Sequence, residues 1–170
     1  MKILGIDPGL QITGYACVEV ENPDSTHAGI PEPRLLDAGI IRLPAGTSVQ
    51  ARLVELERDL VGLLETHNPD EVCVEKLYSH YQRPTTAIIM GHARGVVLLA
   101  AQRSGAAVTE LAATEVKKSL TGHGHATKAQ MQESVKSQCG LPELPSPPDV
   151  ADAIAIALCA ARRRAFQHTH

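Results

Sequence analysis

The chain has 170 residues, of which 44% are hydrophobic and 21% charged, so we expect one domain over residues 1–170 with its own core and a short tail at 161–170. Its apolar runs are too short for a membrane-spanning helix and its first residues too few for a signal peptide, so we expect a cytoplasmic protein. The formal net charge of −3 does not exclude a nucleic-acid partner, because residues 76–128 carry 7 basic and 2 acidic side chains, although an ordinary solvated surface could have that composition.

Three consecutive strands are predicted at the N-terminal end of the chain. The apolar run Lys2–Ile6 forms the first, and Gln11–Val20 returns as the second after the turn residues Asp7-Pro8-Gly9. The third covers Leu35–Leu43 and is expected to contain a β-bulge at Ala38-Gly39. The short connection between the first two strands indicates an antiparallel meander.

Helices and a buried strand follow. Ser48–Thr66 carries a stripe of leucines at helical spacing. Glu71–Glu75 has no alternation of polar residues, as in a strand covered on both faces. Thr85–Arg103 is apolar around much of its circumference, and Gly91 and Gly95 inside it either weaken the helix or permit close packing, for example against a second subunit.

The C-terminal third predicts one strand and three helices. Ala106–Leu111 is the fifth strand, and Thr114 is expected to cap a short helix that ends near Thr121. Thr127 and Gln130 match a capping box for the next helix. The last helix covers residues 149–166, and its arginines 162–164 either complement the helix C-terminus or contact DNA. This order of elements predicts an α/β fold with a mixed five-stranded sheet flanked by helices on both faces.

The cysteines are predicted to be free thiols. Cys17, Cys73 and Cys159 lie inside apolar runs, and with Cys139 they show no CxxC spacing. This pattern indicates a reducing compartment and no zinc site.

Four carboxylates lie next to apolar segments, where burying a charge costs free energy. Asp7 and Glu75 each end an apolar strand, and Asp149 and Asp152 open an apolar helix, one helical turn apart. A shared Mg²⁺ or Mn²⁺ ion would compensate all four, because hard cations prefer oxygen ligands. Each acid also has an ordinary explanation: a structural turn or a phosphate-binding hairpin at Asp7, a cap or ion pair at Glu75, and the helix dipole at Asp149 and Asp152.

These residues lie in motifs that resemble the RuvC family of Holliday-junction resolvases. The resemblance covers residues 1–161 and rests on ILGIDPGLQITGYA (Ile3–Ala16), VCVEKLY (Val72–Tyr78), GHARGV (Gly91–Val96), EVKKSLTGHGHATKAQ (Glu115–Gln130) and PDVADAIAIA (Pro148–Ala157). It implies an RNase H-like fold and a homodimer that cuts four-way DNA junctions in recombination and repair, with RuvA and RuvB as partner proteins.

The resemblance also implies roles for individual residues. The acids Asp7, Glu75, Asp149 and Asp152 would be the catalytic carboxylates, holding two Mg²⁺ or Mn²⁺ ions that activate water and stabilise the leaving oxygen. Lysines would hold DNA phosphates; they are Lys76, Lys117, Lys118 and Lys128. Tyr78 would contact bases near the crossover, where relatives commonly have Phe.

The chain departs from the family pattern at Tyr78 and in two further places. The connection Glu21–Arg34 is longer than usual, and the tail ending in His168 and His170 has no basic extension. Some relatives have His at the position of Asp149.

Three other functions fit parts of the pattern. An actin-like ATP-binding protein would use the turn after Asp7 to hold phosphate, but it needs a second lobe. A non-catalytic junction-binding module would not need four carboxylates. A nuclease of the same fold acting on RNA–DNA hybrids would share the acids, and only the family resemblance disfavours it.

Overall fold

The computed structural model describes residues 1–20, 32–76 and 84–168, and this part of the chain forms five strands and five helices. The strands are β1 Lys2–Asp7, β2 Ile12–Glu19, β3 Arg34–Arg42, β4 Glu71–Glu75 and β5 Ala107–Leu111. The helices are α1 Val49–His67, α2 Pro84–Ser104, α3 Ala113–Thr121, α4 Lys128–Cys139 and α5 Pro148–His168. The last helix therefore continues through most of the predicted tail.

The strands form one mixed sheet in the order β3-β2-β1-β4-β5. The meander β1-β2-β3 is antiparallel, whereas β4 and β5 extend the sheet parallel to β1. The predicted five-stranded mixed sheet is confirmed. Since β1 and β4 are parallel neighbours, the residues that follow them lie at the same edge of the sheet.

Alternation along β1 divides the core into two layers. Leu4 and Ile6 pack with α1 and α2 on one face, whereas Ile3 faces α5 on the other. The residues from Ala153 to Ala161 in α5 are buried, and α3 and α4 cover this helix from outside. The prediction of helices on both faces is confirmed, and Asp7 continues β1 on the α5 side.

Local chemistry fixes several helix ends, among them the capping box that the sequence predicts at Thr127 and Gln130. Ser48 caps α1 by accepting a 3.2 Å hydrogen bond from the Ala51 N–H, and Asn68 ends this helix in the left-handed conformation with φ of 45°. Thr127 and Gln130 form both hydrogen bonds of the capping box on α4.

Two local predictions are wrong. Helix α3 begins at Ala113 after Ala112, so Thr114 is already helical and caps nothing, because β5 ends at Leu111 and the chain turns at once into the helix. The sheet irregularity lies opposite Cys17 and Val18 and not at Ala38-Gly39.

Gly39 serves a different purpose from a bulge. It pairs regularly with Tyr15 across β2 and β3, and an added Cβ would lie 2.7 Å from the Tyr15 hydroxyl oxygen. The glycine therefore makes room for the aromatic ring.

Arginines near the end of α5 fasten this helix to the rest of the protein. Arg162 donates to the Ser119 carbonyl at 2.9 Å and to the Gln138 side chain at 2.6 Å. Arg164 donates to the buried Glu71 carboxylate at 2.6 Å. These contacts favour a structural role for both arginines.

Two further predictions concern the cysteines and the absence of a membrane-spanning helix. Cys17, Cys73 and Cys159 are buried, as predicted. In the ranges that the structure describes, every helix is too short or too polar to cross a bilayer.

Candidate active site

Three elements bring the four predicted carboxylates to one edge of the sheet. Asp7 ends β1 and Glu75 ends the adjacent parallel strand β4, so both side chains leave the sheet on the α5 side. Asp149 and Asp152 lie in the first turns of α5, directly above them. All four line one cavity of about 390 Å³.

Two glycines allow α5 to sit directly on the sheet. A Cβ on Gly14, the residue paired with Asp7, would lie 2.1 Å from the Asp149 carbonyl oxygen. A Cβ on Gly5 would lie 2.5 Å from the Ala153 carbonyl oxygen. Such distances are far inside van der Waals contact, so any larger residue would push α5 and its carboxylates away from Asp7.

The turn after Asp7 is held by its own hydrogen bonds. The buried Thr13 hydroxyl accepts from the Gly9 N–H at 3.1 Å and donates to the Gly9 carbonyl at 2.7 Å. Arg52 of α1 donates to the Leu10 carbonyl at 3.4 Å. Because the Gly9 N–H is already used, the geometry favours the structural turn over the phosphate-binding hairpin.

The carboxylates repel one another in this cavity. The pKa of the Asp7 carboxyl is raised to about 7, first by burial and then by the charges of Asp152, Glu75 and Asp149, against an opposing effect of Lys128. An acid with such a pKa is only partly ionised at neutral pH unless a cation compensates it.

The pKa values of two further acids in the cavity are also raised. Burial and Asp152 raise the pKa of Glu75, while Lys117 and Lys128 lower it. Burial raises the pKa of Asp152, with Lys128 again opposing the shift. The two lysines compensate the cavity only in part, and it remains attractive for additional positive charge.

The predicted lysines divide into two groups. Lys117 of α3 and Lys128 of α4 line the cavity, and the Lys128 ammonium lies 3.8 Å from the Asp152 carboxylate. Lys76 and Lys118 are exposed and stand outside the cavity lining. Tyr78 lies outside the described residues, as does most of the connection Glu21–Arg34.

The donor set fits a hard divalent cation. All four acids offer oxygen ligands, and the raised pKa values of Asp7, Glu75 and Asp152 indicate that the cavity lacks compensating positive charge. Among the residues that the structure describes, no three His, Cys, Asp or Glu side chains enclose an ion by themselves. Mg²⁺ is commonly held by one or two carboxylates, with waters and substrate phosphates completing its shell, so this open arrangement suits it.

Arg94 was not predicted from the sequence. It lies on α2 among buried apolar residues, donates to the Glu75 main-chain carbonyl at 2.8 Å, and forms an ion pair with Glu110 of β5 at 2.5 Å. The sequence does contain a sign of its role, because position 94 falls on the apolar face of the predicted helix, next to Ala93 and Val97. A charge at a buried helical position needs a partner.

Comparison with known proteins identifies relatives along nearly the whole chain. Residues 3–160 match the RuvC family, described as crossover junction endodeoxyribonuclease RuvC. A protein of that name from Rhodopirellula baltica is 46% identical over 157 residues, covering 92% of this chain and 84% of its own. Its counterpart from Thermotoga petrophila is 41% identical and covers 100% and 98% of the two chains.

Solved structures agree with the sequence relatives. The Thermus thermophilus RuvC structure superposes with a TM-score of 0.82 at 33% identity, covering 96% of each chain. The same protein in complex with a Holliday junction substrate gives a TM-score of 0.82 at 30% identity. The RNase H-like fold that the resemblance implied is therefore confirmed. On this agreement of sequence and structure, the chain belongs to the RuvC family of crossover junction endodeoxyribonucleases.

Proposed function

We propose that this protein is a structure-specific endonuclease that resolves four-way (Holliday) DNA junctions by paired symmetric nicks in recombination and repair. One observation carries the proposal: four mutually repelling carboxylates share a cavity with two lysines at the edge of the sheet. Family membership supplies the substrate class, because the Thermus relative was solved with a Holliday junction substrate.

Asp7, Glu75, Asp149 and Asp152 are the proposed catalytic and metal-binding residues, holding two Mg²⁺ or Mn²⁺ ions. When bound, such ions supply Lewis acidity for an attacking water and a leaving 3′-oxygen. Asp7 is the central ligand in this proposal, since its carboxyl responds to all three of the other acids. The uncompensated acids repel a DNA phosphate, so we expect metal-free protein to bind junctions without cutting them.

Basic side chains around the cavity are the proposed DNA contacts. Lys117 and Lys128 stand beside the acids, where they meet the phosphates next to the cut. Lys76 and Lys118 extend this surface outward. Tyr78 remains a proposed base contact on the strength of the family resemblance.

A homodimer is proposed from the need for two opposed cuts and from the surface of α2. Ile88 and Leu99 are 61% and 47% exposed, and the space beside Gly91 and Gly95 is open. These four positions recur along one helix face, which suits close packing with a second copy. RuvA and RuvB as partners, a cytoplasmic location and a single domain over residues 1–170 complete the proposal.

The decisive experiment offers the protein a mobile four-way junction with Mg²⁺ or Mn²⁺. We expect two symmetric nicks in the junction and none in a linear duplex of the same sequence. Cleavage of an RNA–DNA hybrid in preference to the junction would assign the protein to the other nuclease class. Junction binding without cleavage in either metal would return it to the non-catalytic class.

A further inference from the structure

We propose that Arg94 is a positioning residue that holds the Glu75–Lys76 peptide and thereby sets where the Glu75 carboxylate stands. The inference rests on the proposed function, in which Glu75 is a metal ligand. Arg94 does not line the described part of the cavity; it acts from the opposite face of the sheet.

The peptide after Glu75 is held at both of its polar groups. The Lys76 N–H donates to the Leu111 carbonyl of β5 at 2.8 Å, and the Glu75 carbonyl accepts from Arg94 Nη1 at 2.8 Å. In a trans peptide these two groups point in opposite directions. The carbonyl therefore points to the side where the pairing of β4 with β1 has already ended, at Val74 and Ile6.

Arg94 replaces the missing strand neighbour. An unpaired carbonyl at this half-buried strand end would cost free energy and would leave the peptide free to rotate. Rotation of this peptide would turn the adjacent Glu75 side chain, whose carboxylate must meet Asp7 across the cavity. One hydrogen bond from α2 to the main chain therefore restrains the Glu75 carboxylate.

The guanidinium is itself fixed in place. Arg94 is only 8% exposed, and its Nη2 atom binds the Glu110 carboxylate at 2.5 Å while Nη1 binds Glu75. A planar fork can satisfy both acceptors at once, whereas the single ammonium of a lysine cannot keep the same two directions. Because the two acceptors lie in different directions, we expect position 94 to require an arginine and not only a positive charge.

The test compares Arg94→Lys and Arg94→Gln with Arg103→Gln, a change on the same helix that removes an exposed ion pair with Glu57. Binding of Mn²⁺ alone is measured by titration without DNA, together with junction binding in metal-free buffer and the rate of junction cleavage. Outer partners that orient metal ligands typically contribute about 10- to 100-fold in metal affinity or activity. We expect losses of that size in Mn²⁺ affinity and cleavage for both Arg94 variants, with junction binding unchanged.

The Arg103 variant should behave as the unchanged protein. Arg94 variants that fold and bind Mn²⁺ within about twofold of Arg103→Gln would overturn the proposal. If the Arg94 variants fail to fold, Glu110→Gln replaces them, since it leaves Arg94 present but less firmly oriented. Weaker Mn²⁺ binding by that variant supports the proposal, and unchanged binding overturns it.

The two proposals fail in different ways. If the unchanged protein binds Mn²⁺ but does not cut junctions, the proposed function is wrong, while the Mn²⁺ titrations still decide the role of Arg94. If the protein cuts junctions and the Arg94 variants match the control, only the positioning role is wrong.

Discussion

At the scale of single residues, we expect substitutions of the proposed metal ligands, Asp7 first among them, to have the largest effect on cleavage. Asp7→Asn, Glu75→Gln or Asp152→Asn removes a proposed ligand from a cavity that must compensate negative charge in the transition state. We expect cleavage to fall by several orders of magnitude while junction binding in metal-free buffer survives. Asp59→Asn, which alters a partly exposed acid on α1 far along the chain from all four carboxylates, is the matched control. Near-normal cleavage by Asp7→Asn would contradict the proposal that Asp7 is a catalytic metal ligand.

The pKa of Asp7 predicts how the metal-free protein responds to pH. Its value rises from an ordinary 3.8 to about 7 on folding, so the unfolded state releases this proton first as pH increases. The favourable contribution of the protonated group is full below about pH 4 and is lost as pH rises toward 7. Asp7→Asn should therefore match the unchanged protein near pH 4 and be more stable near pH 8.

The size of that difference can be measured by thermal unfolding in chelator. We expect at least about 1 kcal/mol at pH 8, which corresponds to roughly 2–4 °C in Tm for a chain of this length. Added Mn²⁺ should raise the Tm of the unchanged protein more than that of Asp7→Asn. Equal Tm values for the two proteins at pH 8 without metal would contradict the shifted pKa.

The lysines beside the cavity should act through DNA phosphates. Lys117→Ala and Lys128→Ala are each expected to weaken junction binding and to reduce the slope of log affinity against log salt by about 1 per lost contact. Lys136→Ala, at the far end of α4, is the control. An unchanged slope in both variants would make these lysines ordinary surface charges.

At the scale of elements, the seating of α5 on the β1-β2 hairpin decides whether the acids meet. Gly14→Ala places a methyl group 2.1 Å from the Asp149 carbonyl oxygen, so α5 must shift. We expect a loss of about 1–3 kcal/mol in stability and a marked loss of cleavage. The comparison is thermal unfolding and junction cleavage against Gly62→Ala.

Gly62 is a suitable control because an added Cβ there has nothing within 4 Å. It lies in the middle of α1, where alanine is favoured over glycine by about 0.5–1 kcal/mol. That variant should gain stability and cut normally. Equal behaviour of the two glycine variants would show that the start of α5 tolerates displacement.

At the scale of the whole molecule, the exposed face of α2 predicts assembly. Leu99→Asp places a charge in the proposed apolar interface, so we expect monomers in sedimentation at micromolar concentration and loss of paired nicks. Leu144→Asp changes another exposed leucine, on the connection between α4 and α5, and should leave the dimer intact. Full paired cutting by a monomeric unchanged protein would contradict the dimer.

The sequence by itself determined the elements, the mixed sheet and the four carboxylates. Apolar periodicity is local, so it marks strands and helices, and a charge that ends an apolar run is visible without knowing its neighbours. The capping box at Thr127 could also be predicted, because it depends only on two residues three positions apart. The cap at Thr114 was wrong because the end of β5, and not the residue type, fixes where α3 begins.

Only the tertiary structure decided how those acids are brought together. Gly14 meets Asp149, and Arg94 meets the Glu75 carbonyl, through contacts between segments far apart in the chain. Neither residue carries a local pattern that names its partner, since a glycine in a strand and an arginine in a helix each have many ordinary uses. The pKa of Asp7 likewise depends on its burial and on its distances to three other carboxylates, and both are set only when α5 is packed on the sheet.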